Sequence, residues 1–168
     1  MLGWLAGATL MAGCGIAGTA PVDTGATARP HAAGIDLSDT DPCTLLNVQQ
    51  QTDLGGIDVV QPVPADAGNA ACEYLQRGPQ GWSVTITVPD HEPAGQVPRE
   101  SGRGAQQLSI EGFPALRQDL PDGCAVDVDV GPGQDLAVRT QGPGLPAHSC
   151  ETATRAATLA VSTVKKRH

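Results

Sequence analysis

Five cysteines and four histidines carry the strongest chemistry in this chain, and their spacing decides which chemistry is open to them. Cys43, Cys72, Cys124 and Cys150 are separated by 28, 51 and 25 residues with no C-x-x-C pair. That spacing argues against a zinc finger and for thiols oxidised to disulfides, as in exported domains. Four cysteines allow three pairings. The sequential one, Cys43 with Cys72 and Cys124 with Cys150, is favoured because each bond then ties the start of a helix to a strand or turn. Loops of that size correspond to about 3.5 kcal/mol each in the chain-entropy account. The histidines form no comparable set. His91-Glu92 opens like a zincin motif, but the second histidine would fall at position 95, which is Gly95. His31 lies in a Gly/Ala-rich stretch, and His168 is the last residue.

Other fragments of motif also stop short. Gly81-Trp82-Ser83 meets Thr85 where a nucleophile elbow needs glycine. Asp127-x-Asp129-x-Gly131 lacks the third ligand and the closing acid of a calcium loop, and reads as acids on the wet face of a strand. Gly131-x-Gly133 and Gly142-x-Gly144 precede neither a P-loop lysine nor a strand-to-helix turn. No acid–base–nucleophile set emerges, and no cofactor or metal is expected. The leading functional expectation is therefore a non-catalytic binding module, with an envelope protein, a glycan or a small ligand as partner. The alternative is a hydrolase or metal-dependent enzyme built on His91, Glu92 or His148.

Cys14 stands apart from the other four. Residues 1–13, MLGWLAGATLMAG, carry no charge and are too short to span a bilayer, but they suit the apolar core of an export signal. Leu10-Met11-Ala12-Gly13-Cys14 resembles the lipobox of bacterial lipoproteins. That resemblance implies cleavage after Gly13 and lipid attached to the Cys14 sulfur. Met11 departs from the usual Leu, Val or Ile, and no Lys or Arg precedes the apolar run, so the start is expected upstream. Residues 14–38, rich in Gly, Ala, Thr and Pro and without periodicity, read as a flexible tether. The folded domain is then placed at 39–168.

The elements that must position these residues follow from pattern and punctuation. Asp41-Pro42 caps and starts a helix, and Gly55-Gly56 stops it, predicting helix from Pro42 to Leu54. Residues 57–63 read as an edge or a short strand because Pro62 and Pro64 cannot donate to a ladder, and 71–76 as a further strand. Trp82 to Val88 and Cys124 to Val130 alternate with period 2, turning Trp82, Val84, Ile86 and Val88, and then Val126, Val128 and Val130, inward. Gln106 to Ile110 is a candidate strand, Glu111 to Pro114 a turn burying Phe113, and 135–140 the hairpin partner of the Cys124 strand. Ser149 caps a helix to about Lys165 whose apolar stripe is Ala153, Ala156, Ala157, Ala160 and Val164. The fold class is α+β: an antiparallel sheet with an N-terminal and a C-terminal helix on one face, held by two disulfides.

Composition limits the partners. Eighteen acids against ten bases give a net charge of −8, and only four residues are aromatic. Nucleic acid is excluded as a partner, since phosphate neutralisation needs basic residues and base stacking needs rings.

In chain order, the lipobox cysteine, the tether and Asp41-Pro42-Cys43-Thr44-Leu45-Leu46 are followed by Cys72 with Tyr74. Gly112 to Ala115, the Cys124 strand and Cys150 opening an alanine-rich helix complete the series. This ordered set resembles the actinobacterial lipoprotein family known as domain of unknown function 3558, over roughly Asp39 to Val164. The resemblance implies an envelope lipoprotein, anchored at Cys14 on the extracytoplasmic side of the cell membrane, and leaves its activity open.

Overall fold

The computed structural model describes residues 34–66, 68–89, 104–144 and 149–168. The start of the domain lies within what composition assigns to the tether. Ile35 and Leu37 are buried, the Ile35 N–H donates to the Val130 carbonyl at 2.7 Å, and the Leu37 N–H donates to Gln134 Oε1 at 2.9 Å. Two branched apolar side chains, six and four residues before Asp41, carry this segment into the core.

The expected first helix is broken in two. Asp41 caps a single 3-10 turn, Pro42–Thr44, by accepting from the Cys43 N–H at 2.8 Å. The chain then drives Leu45 and Leu46 into the core. It restarts as α1, Val48–Asp53, behind Asn47. Asn47 Oδ1 accepts from the Gln50 N–H and Gln50 Oε1 accepts from the Asn47 N–H, a reciprocal capping box that defines a new helix start. The break follows from this competition: an asparagine cap immediately after a buried leucine pair outweighs continuing one helix. Gly55 then ends α1 at φ +127°, where an added Cβ would sit 2.8 Å from the Trp82 ring.

Seven strands follow: β1 Val59–Val63, β2 Asn69–Gln76, β3 Trp82–Pro89, β4 Gln106–Ile110, β5 Phe113–Leu120, β6 Gly123–Gly131 and β7 Gln134–Gln141. They form one antiparallel sheet in the order β1-β2-β3-β7-β6-β5-β4. β1 is an edge strand of five residues, where Pro62 is tolerated. β5 is the strand that the pattern did not show. Its turn is only Glu111-Gly112, both at positive φ, which suits a two-residue hairpin following the sheet's twist. Pro114 is tolerated because it stands opposite Ser109, next to the hydrogen-bonded closing pair Ile110–Phe113, and the ladder to β6 begins at Ala115.

The inward rows are as the alternation predicts. Trp82, Val84, Ile86 and Val88 of β3 and Cys124, Val126, Val128 and Val130 of β6 are buried. α2, Ser149–Lys165, lies over β5, β6 and β7, presenting Ala153, Ala156, Ala157, Ala160, Val161 and Val164. The 3-10 turn covers β1 to β3 on the same side. Arg167 joins the two halves of this layer by donating to the Thr44 carbonyl at 2.9 Å and to Thr44 Oγ1 at 3.0 Å. The result is one sheet with helical structure on a single face, the α+β architecture expected.

Candidate functional site

Cys43, Cys72, Cys124 and Cys150 form the two sequential disulfides, Cys43–Cys72 with Cα atoms 5.1 Å apart and Cys124–Cys150 at 5.0 Å. Each joins a helical start to a strand of the sheet. Cys72 and Cys124 are fully buried on the inward rows of β2 and β6, whereas Cys43 and Cys150 are partly exposed. Beside the first bond, the Tyr74 hydroxyl donates to the Pro42 carbonyl at 2.7 Å and accepts from the Leu46 N–H at 3.3 Å. Burial pushes the Tyr74 phenol up to about 12. At the domain's entry, the Ser38 N–H donates to Asp36 Oδ1, which holds that carboxyl below its usual range.

Cys14, His31, His91, Glu92 and His148 lie outside the described residues. His168 closes the chain beyond α2. Asp127 and Asp129 do sit on the sheet face away from the helices, as strand alternation requires.

Among the described residues that face carries a trough of about 780 Å³ across the central strands. Cross-strand register builds its floor. One row runs Val63, Ala71, Thr87, Ala137 and Asp127; the next runs Gln61, Glu73, Thr85, Arg139, Ala125 and Gln118. Small alanine and threonine side chains in the middle and longer polar ones around them leave a wet hollow. The Gln61 amide donates to the Glu73 carboxylate at 3.0 Å, and Arg139 is exposed. Among the described residues the trough brings no cysteine or histidine beside its hydroxyls.

Another concavity is a cleft of about 720 Å³ between α2 and β5. β5 sends Arg117 and Asp119 up its inward row, past the edge of α2; the helix contributes Ser149, Cys150, Glu151, Thr154, Arg155 and Thr158. Arg117 donates through one terminal nitrogen to Gln106 Oε1 on β4, while its Nε is buried with no hydrogen-bond partner. Asp119 Oδ1 lies 2.9 Å from Cys150 Sγ. Asp119, Cys124 and Cys150 place their ligand-type atoms within 4.8 Å of one another, yet both sulfurs are spent in the disulfide, and metals bind thiolates.

Neither concavity was legible in the motifs. Glu151 and Arg155 are visible as an i,i+4 pair and Arg117 and Asp119 as an i,i+2 pair. Their convergence needs α2 laid along β5.

No curated protein and no solved structure matches the chain. A family model does, the protein of unknown function designated DUF3558, over residues 9–163. That span takes in the Leu10–Cys14 segment, all four disulfide cysteines, the whole sheet and nearly all of α2. The chain belongs to the DUF3558 family.

Proposed function

We propose that the protein is a lipid-anchored lipoprotein of the cell envelope that works as a non-catalytic binding module. Cys14 is the anchored residue in this reading, and the outer face of the cytoplasmic membrane is where the domain is displayed. The lipobox-like Leu10–Cys14, the polar low-complexity stretch behind it and the two disulfides support export and anchoring. Several buried acyl chains, at about 0.8 kcal/mol per methylene, would hold an acidic domain that electrostatics alone would keep away from anionic lipid.

The observation that carries the binding role is the one-sided sheet. A seven-stranded sheet with the 3-10 turn and α2 on one face leaves, among the described residues, a trough of about 780 Å³ on the other, with side chains suited to recognition. The test is site-specific photocrosslinking in intact cells. Photoreactive residues replacing Arg139 or Gln141 in the trough should give one discrete adduct that the same residue at Val48, 77% exposed on α1, does not. Identical patterns from all three positions would sink the trough as the binding face. In the same cells the wild type should incorporate labelled palmitate and the Cys14→Ala variant should not; equal labelling would remove the anchor.

A further inference from the structure

We propose that the cleft between α2 and β5 is a binding site for a zwitterion, a free amino acid or short peptide presenting an ammonium and a carboxylate together. This site is separate from the trough and stands or falls independently of it.

Four charged side chains of both signs line the cleft: Arg117 and Asp119 from β5, Glu151 and Arg155 from α2. Among the described residues none of the four is ion-paired; the ion pair of this region's helix lies at its far end, Lys165 with Glu111 at 3.4 Å. The lack of pairing is unexpected for Glu151 and Arg155. They stand at i,i+4 with the acid toward the N-terminus, the spacing and order that bring such side chains together on a helix surface. Charges kept only for solubility or helix stability would be expected to meet. These face the same hollow without doing so.

Arg117 supplies an independent pointer. Its guanidinium is positioned by the bond to Gln106 Oε1, and its Nε is buried without a partner. Nε has no surface open to the cleft, so the rest of the half-buried guanidinium, which lines the cleft, is what would take a carboxylate there, with Arg155 as second cation.

The acids decide against a plain anion. Asp119 and Glu151 would repel phosphate or sulfate approaching the two arginines, and the four groups sum to zero charge. A ligand bearing both charges places its carboxylate on Arg117 and Arg155 and its ammonium on Asp119 and Glu151, so each like-charge contact becomes an attractive one. The volume of about 720 Å³ lies within the range of small-molecule sites and accommodates a dipeptide.

The experiment titrates the full-length protein in detergent with alanyl-alanine, N-acetyl-alanyl-alanine and alanyl-alanine amide, followed by calorimetry. The zwitterion should bind at least about tenfold more tightly than either blocked form. Asp119→Asn and Arg155→Gln, both exposed positions, should each weaken it about fivefold or more while leaving the thermal midpoint unchanged. Equal binding of the acetylated form would make the cleft an anion site, and equal binding of the amide a cation site. Either result overturns the proposal. So does the absence of binding at millimolar peptide, or variants that bind like the wild type. Should Asp119→Asn disturb the neighbouring disulfide, Glu151→Gln carries the same prediction from the helix side.

Discussion

Tyr74 is the single tyrosine of the chain and has no exposed surface, which makes it both a structural bolt and a clean spectroscopic probe. Its hydroxyl ties the Pro42 carbonyl and the Leu46 N–H, so the phenol holds the segment on either side of the Cys43–Cys72 bond. The folded state keeps the phenol neutral. Its folded pKa of about 12 lies above the ordinary value of 10, so its contribution is complete below pH 10 and is lost as pH rises toward 12. The shift corresponds to ~3 kcal/mol. Stability measured by urea unfolding should therefore lose this contribution between about pH 10 and 12, in step with the rise of tyrosinate absorbance. Tyr74→Phe should remove both the absorbance change and the alkaline loss. Tyrosinate appearing near pH 10 without unfolding would show that the hydroxyl is not held as described.

At the scale of elements, α2 sits close to the sheet because its buried stripe is alanine-rich. Ala153, Ala156, Ala157 and Ala160 have no exposed surface, and the bulk that fills the space beneath them comes from the buried valines of β6 and from Leu136 and Val138 of β7. This division of size is why a domain with three buried rings, Tyr74, Trp82 and Phe113, still has a continuous core. A larger side chain in the stripe must lift the helix or shift a strand. Ala157→Leu should cost about 1–3 kcal/mol in urea unfolding despite raising hydrophobicity. A neutral or stabilising outcome would mean that a void underlies the helix. The stripe could be read from the 3.6-residue spacing alone. The division of the N-terminal helix could not, because the Asn47 cap and the Leu45–Leu46 pair act against each other, and tertiary burial of the leucines decides the outcome.

For the whole molecule, the two disulfides are a large share of what holds it together. They close loops with sequence separations of 29 and 26, about 3.5 kcal/mol each in the chain-entropy account. Net stabilities of domains this size are about 5–15 kcal/mol. Replacing Cys43 and Cys72 together by alanine should lower the unfolding free energy by about 3–4 kcal/mol, and replacing all four should leave the domain unfolded or close to its midpoint without denaturant. A four-alanine variant with wild-type urea stability would show that the sheet and α2 suffice by themselves. The bonds also join the first helical turn to β2 and α2 to β6, so they secure both halves of the helical layer to the sheet.

By itself the sequence determined the strands β3 and β6, the stripe of α2, that β1 is an edge or a short strand, and the cysteines that bond, because each is written in local alternation, spacing or a proline. Tertiary structure decided the rest. Ile35 and Leu37 belong to the core because Val130 and Gln134 lie within reach, a partnership between residues almost a hundred apart. β5 is a strand because β4 and β6 flank it, although its own pattern is poor. Both concavities arise in the same way. Thr85 meets Arg139 only when β3 pairs with β7, and Arg117 and Arg155 line one cleft only when α2 packs beside β5. Periodicity states which face of its own element a side chain occupies. Which other element supplies the opposing wall is settled by long-range pairing and packing, and the sites are made of those walls.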